Sequence, residues 1–281
     1  MPAVPHWYAS LAQVKRQLRI SDTTDDDVLK ATISNVSRQI DQFCERHFFP
    51  IVAVKYFETD EYNELCMPGE DLLAVTTLEV DQNDDGTYEE SWASNTYFLE
   101  PRNASTEYPP RPYWEIEIPT RNTNYFPVAG EYPIKITGLW GYYNQLTATT
   151  TVHSAIGSAD VSVALHNANT LLEIGQMILI GSEQLWITDI SGINVTVTRA
   201  CNGTTAASHA VDATVSTYSY PVIGEAATHQ AVLAYRQTTN PYGTVGVGEV
   251  LTEPRVMTAA GLHPFVRGMI APFKRMRYEG V

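Results

Sequence analysis

Basic residues are scarce in this chain of 281 residues: 18 Lys and Arg stand against 32 Asp and Glu, a net charge of −14. Gripping a nucleic-acid backbone takes clustered cations, so sequence-independent binding of DNA or RNA is not expected. Cysteine is scarcer still. Cys44, Cys66 and Cys201 are too few and too far apart for a disulfide framework or a zinc knuckle. No apolar run approaches the ~18 residues of a membrane span. The opening MPAVPHWYAS has neither a basic n-region nor an apolar h-region, so no signal peptide is expected, and synthesis belongs to a reducing cytoplasm. The seven histidines contain no His-x-His or His-x-x-x-His pair, which excludes the usual catalytic zinc site. No Gly-x-Ser-x-Gly elbow, Walker loop or dinucleotide fingerprint occurs. No catalytic constellation is left, and neither enzyme activity nor a cofactor is expected.

What is present is a globular composition, 44% apolar and 18% charged. The charge is uneven. Residues 51–145 hold seventeen acidic against five basic residues, whereas residues 1–50 hold six of each. The middle and the ends therefore face different partners. Near the start, Ser10 is placed to cap a helix carrying Leu11, Val14 and Leu18. The polar run from Ser21 ends it. Asp25, Asp26 and Asp27 then suit the positive end of a second helix, expected as one continuous piece over 25–46. Its apolar stripe is Leu29, Ile33, Val36, Ile40 and Phe43, spaced four, three, four and three. Burying each such side chain contributes about 1.5–3 kcal/mol before entropy, so the stripe needs a partner surface in this chain or in a neighbouring subunit. Cys44, beside the stripe, reads as a buried free thiol.

From Ile51 the pattern changes to β-branched and aromatic runs separated by turns: IVAVKYFET, DLLAVTTLEV, TYFLE, YWEIEI and YPIKITGLW. These predict a small antiparallel β domain over 51–145, a sandwich or open barrel, with an extended Pro-rich loop from Pro101 to Pro112. A polar, low-charge stretch follows. Residues 146–220 hold one basic residue, Arg199, and alternate strand-like runs with Gly and Asn-Gly turns, which predicts a second, inserted β module. After Pro221 the chain returns to an Ala-rich helix. A Gly-rich connector over 243–248 leads to a final segment with Pro264 at a helix start and Pro272 at its end. The fold class expected is α+β, with helical ends (1–50 and 221–281) forming a core and two β units inserted between them.

Several motifs invite chemistry. Asp81-Gln82-Asn83-Asp84-Asp85-Gly86 matches the first half of an EF-hand calcium loop. The closing bidentate Glu would fall at the position of Trp92, and strands rather than helices flank the loop, so an acidic hairpin tip is the preferred reading and no metal site is expected. Trp92, Trp114, Trp140 and Trp186 could line a sugar-binding face, but strand tryptophans are more often core. The terminal segment combines an apolar set, Phe265, Met269, Ile270 and Phe273, with Lys274, Arg275 and Arg277. Three cations in so acidic a chain release few counterions, and a protein socket suits them better than nucleic acid.

Residues 8–49 resemble the opening of the head–tail connector (adaptor) proteins of long-tailed bacteriophages. The resemblance lies in a helix such as LAQVKRQLRI, an Asp-rich turn such as SDTTDDD, and a long helix ending Ile-x-x-Phe-Cys-x-Arg-x-Phe. The run from Val128 to Tyr142 and the segment from Pro264 to Arg277 resemble longer members. Residues 146–220 resemble instead a small β module of phage structural proteins, with Leu171 to Ile174, Glu183 to Ile187 and Thr198 to Thr204 as its recurring parts. The resemblance implies a homo-oligomeric ring, commonly of twelve, in the virion neck beneath the portal. It implies helices around a channel through which DNA passes without specific binding, with Leu29, Ile33, Val36, Ile40 and Phe43 packing helices within or between subunits. It also implies that Phe265, Met269, Ile270, Phe273, Lys274, Arg275 and Arg277 dock the portal protein while β loops meet a stopper or tail protein; no membrane is involved. Two other classes compete: a β-rich receptor- or glycan-binding tail component, and a hydrolase with an unrecognised site in the acidic β domain.

Overall fold

A computed structural model describes residues 4–239 and 261–275, apart from residues 68, 108, 109, 129 and 144. The protein is α+β, with helices at both ends of the chain and antiparallel sheets between them. Helix α1 spans Leu11–Leu18, and the Ser10 hydroxyl accepts the Gln13 N–H at 3.1 Å, the capping the sequence predicts. Helix α2 spans Asp26–Cys44, with Asp26 and Asp27 in its first turn. Helix α3 is the single turn Ala168–Leu171, α4 spans Pro221–Thr239, and α5 spans Pro264–Ile270 with Pro264 in its first turn. Pro272 falls in a 3₁₀ turn, Ala271–Phe273, that ends the last helix.

The hydrophobic interior falls into three main clusters. The first is helical: Leu29, Ile33, Val36 and Ile40 of α2 meet Val14 of α1, Ile223, Ala227 and Ala231 of α4, and Val266 and Ile270 of α5. The last buried residue of α2 is Cys44, not Phe43, which is half-buried. A straight helix of 3.6 residues per turn drifts off a strict heptad, and the drift carries the stripe from Ile40 to Cys44. Burial pushes the Cys44 thiol up to about 12, so it is an inert packing group.

The second cluster belongs to residues 51–143, where two sheets share one core. Strands β1 (Ile51–Phe57), β3 (Leu72–Val80), β4 (Glu90–Trp92) and β7 (Ile134–Trp140) form a sheet in the order β1-β7-β3-β4. Strands β2 (Glu64–Cys66), β5 (Phe98–Glu100) and β6 (Glu115–Glu117) form the other, in the order β2-β6-β5. Strand β7 alternates strictly between buried and half-buried residues, and Trp140 is fully buried, its indole donating to the Ala53 carbonyl at 3.1 Å. At Gly138 a Cβ would lie 2.5 Å from the Ala74 carbonyl oxygen, which explains a glycine inside a central strand. The Pro-rich loop is not wholly extended: residues 104–106 form a 3₁₀ turn.

The third cluster lies inside the 146–220 module. Strands β8 (Leu146–Thr151), β9 (Ser162–Ala164), β10 (Met177–Ile180), β11 (Glu183–Ser191), β12 (Asn194–Thr198) and β13 (Thr214–Tyr218) run in the order β8-β13-β10-β11-β12-β9. The two outer strands then meet: Val152 bridges Leu165, the His153 N–H donates to the Ala164 carbonyl at 2.9 Å, and the His166 N–H donates to that of Thr151 at 3.0 Å. The sheet is thus closed into a six-stranded barrel filled by residues such as Ile178, Leu185, Ile187 and Val195.

Candidate interaction surfaces

Three joints hold the parts together. The first ties the N-terminal arm to α2. The Tyr8 hydroxyl donates to Asp41 at 2.5 Å and accepts the Phe48 N–H at 3.0 Å, while Arg38 pairs with Asp41 at 2.8 Å and reaches the His6 carbonyl at 2.9 Å. Burial pushes the Asp41 carboxyl up to about 7, against the opposing pull of Arg38 and Tyr8. His6 stacks flat on Phe49 at 3.6 Å, and burial, helped by Arg38, holds it down at about 3, so it is neutral.

The second joint fixes the barrel to the body. The Trp7 ring occupies the notch at Gly175, where a Cβ would lie 1.9 Å from Trp7 Cε3, and it meets Trp186 edge-on at 5.6 Å. Gln184 donates to the Pro50 carbonyl at 3.2 Å and accepts from Asn202 at 2.6 Å. Behind this contact lies a buried ionic network. Arg199 bonds both Glu183 oxygens, at 2.7 and 2.6 Å, His209 Nε2 lies 2.8 Å from Glu183 Oε2, and Arg199 also reaches the carbonyls of Gly157, Asp160 and Ala207. Burial alone would raise the Glu183 pKa, but these bonds and the backbone N–H groups of Ala207 and Ala200 outweigh it and hold the carboxyl at about 2. Every ligand position on this carboxylate is taken by the chain itself, so the network is a staple for the 199–209 loop and offers no reactive group.

The third joint concerns the C-terminal segment. Asp71 accepts Arg46 at 3.2 Å on one oxygen and Arg275 at 3.0 Å on the other, and the Arg275 N–H donates to the Cys44 carbonyl at 3.0 Å. Ile270 is fully buried in the helical core, as is Val266, whereas Phe265 is 59% exposed. The segment thus packs against the chain's own helical core. The buried stripe runs Leu262, Val266, Ile270, one position out of phase with Phe265, Met269 and Phe273, and both share the same spacing of four. Met269 and Phe273 are half-buried against the core; Lys274 is exposed, its ammonium 5.8 Å from the Phe43 ring centre. Arg277, the Gly-rich 243–248 stretch and the rest of 240–260 lie outside the described residues.

Of the residues set aside as possible sites, Trp92, Trp140 and Trp186 are core, and Trp114 is 42% exposed. In the 81–86 loop Asp81 is buried, its Oδ1 accepting the Asp84 N–H and its Oδ2 the Gly86 N–H, both at 2.8 Å. Asp81, Asp85 and Glu89 each bring a carboxylate oxygen within 4.8 Å of the others, but Trp92 stands where a closing Glu would be. Elsewhere in this unit the strand register sets Glu64 opposite Glu117, and Glu115 between Cys66 and Glu100, so four glutamates share the outward face of the β2-β6-β5 sheet. Burial, and then the charges of Glu64, Glu100 and Glu117, raise the Glu115 pKa.

The helices are sealed by their own packing, the barrel holds Arg199 paired with Glu183 in its interior, and the sandwich turns four glutamates outward. Residues 8–67 match the family model described as phage gp6-like head-tail connector protein, which supports a structural connector role in a phage and bears out the resemblance read at residues 8–49. The match covers α1, α2, β1 and β2. Among curated proteins none matches the chain. No helix of the described residues is long and apolar enough to cross a membrane.

Proposed function

We propose that this chain is a structural subunit of a phage neck, forming a dodecameric ring beneath the portal that joins capsid to tail and leaves a channel for DNA. The observation that carries the reading is the α1–Asp-rich turn–α2 unit, which coincides with the connector-family match and supplies much of the helical core. The charge balance agrees: a channel wall that repels phosphate lets DNA slide without sticking. This role asks for no catalysis and no cofactor. Leu29, Ile33, Val36 and Ile40 serve helix packing within the subunit, because their burial there leaves no surface for a neighbour.

Portal docking is assigned to the C-terminal segment in a modified form. Among the described residues of the set Phe265 and Lys274 are exposed, with Met269 and Phe273 half-open; Ile270 supports the segment from within, and Arg275 anchors it to Asp71. Exposed sandwich loops face a stopper or tail protein. Electron micrographs of the purified protein, with and without portal, test the assignment. Rings that bind portal, and lose binding on Phe265→Ser with Lys274→Ser, are the expected result; wild-type protein that neither forms rings nor binds portal would sink it.

A further inference from the structure

A groove of about 460 Å³ runs between α1 and the barrel. Its floor is apolar: Ile20 on the helix side, and Leu172, Ile174 and Ile190 on the barrel side. Its rim is cationic. Lys15 is neutralised by Asp26 at 2.5 Å, and Glu173 is engaged by the Ser10 hydroxyl, but Arg16 is exposed and has no partner among the described residues. Such a groove fits a side chain that is flat and apolar, flanked by carboxylates.

The sandwich presents that combination at one preformed loop. After β1, Asp60 and Glu61 are exposed and Tyr62 is 60% exposed, the most open of the large apolar and aromatic side chains described. The Thr59 hydroxyl fixes the turn, accepting the Glu61 N–H at 3.1 Å and reaching the Glu64 carbonyl at 2.9 Å. A loop already held in shape loses little entropy on docking, and a buried tyrosine is a common anchor of protein interfaces. In the same chain the loop takes no part in the groove, which α1, Ile20 and the barrel line. The barrel touches the body at Pro50, and β1 carries the loop away from there over seven residues, about 23 Å of strand.

We propose that Asp60, Glu61 and Tyr62 of one copy seat in the groove between α1 and the barrel of a second copy, with Tyr62 on the Ile20–Ile174 floor and the carboxylates at Arg16. Loop and groove are different patches, so the contact is heterologous, the type that closes into a ring. The proposal rests on the ring reading above and adds the surfaces that would build it.

Sedimentation velocity of the full chain over a concentration series tests it. Ala12→Phe fills the groove from an exposed helix position, and Arg16→Glu reverses the rim; at concentrations below assembly both should keep the wild-type melting temperature. Each should raise the concentration needed for assembly about tenfold or more. Adding Glu61→Arg to Arg16→Glu should restore assembly. If both single variants assemble as wild type does, or the double variant stays as weak as Arg16→Glu, the groove contact is overturned while the ring stands. A wild-type chain that stays monomeric overturns the ring reading itself, and this contact with it.

Discussion

The two β units of this protein handle charge and strand edges in opposite ways. The 146–220 barrel closes on itself through Val152 and Leu165, leaving no open edge, and places its key ion pair inside, with Glu183 fully buried and Arg199 and His209 nearly so. The 51–143 sandwich stays open. Its longest outer strand, β1, pairs on one side only with β7, and four glutamates lie together on an outward face. In the barrel a charge is a fastener: it is desolvated, fully bonded, and ties two loops to a strand. In the sandwich Arg102 pairs with Glu100 at 3.1 Å and lies 3.9 Å from Glu117, while Glu115 has only like charges beside it, tolerated because water screens them. A unit that retains like charges at a cost in stability presents them outward, and one that seals its edges is built to stay as it is.

The comparison breaks most sharply at Glu183. Replacing it by Ala should cost about 3–5 kcal/mol, because Arg199 and His209 would stay buried without their partner. Thermal unfolding followed by Trp fluorescence should show the barrel melting well below the rest; an unchanged melt would mean that water already satisfies the network. The pH dependence has a definite sign. The Glu183 carboxyl is held at about 2, below its ordinary range, so its contribution is present above about pH 4.5 and is lost as the pH falls towards 2. Urea midpoints measured from pH 5 down to pH 2 check this.

A smaller loss, about 1–3 kcal/mol, is expected for Gly175→Ala, which drives a methyl group into Trp7 at a backbone φ of +86°. The barrel itself should survive, and the signal to look for is increased exposure of Trp7 and Trp186 to a fluorescence quencher. Quenching unchanged from wild type would place the docking strength elsewhere.

In the sandwich the sign reverses. Glu115→Gln should stabilise by about 0.5 kcal/mol, since Glu115 is flanked across the strands by like charges. Added sodium chloride should narrow the difference from wild type, and a destabilised variant would show that the Glu115 carboxylate itself is stabilising in this sheet. Smallest of all, millimolar calcium should leave the melting temperature unchanged, because Asp81 is already spent on backbone N–H groups. A rise of several degrees would show Asp85 and Glu89 closing around an ion.

The sequence by itself determined the local elements and their faces. Ser10 as a cap, the stripe from Leu29 to Ile40, the strands at Ile51, Leu72 and Ile134 and the proline-bounded last helix were all legible, because capping and hydrophobic period act over a few residues. The helical opening also carried the family resemblance. The short strands Glu64–Cys66 and Glu90–Trp92 were not legible, since three residues hold too little pattern to mark a period. Closure of the barrel was likewise hidden. It depends on Val152 meeting Leu165 and on Glu183 meeting Arg199 and His209, pairings between separate strands and loops that no local preference encodes. The C-terminal segment lies between these limits. Its helix was readable from Pro264, but which face it buries was decided by the groove between α2 and α4, which takes Val266 and Ile270 and leaves Phe265 to solvent. Only packing against surfaces distant in the chain could choose between two apolar faces one residue apart.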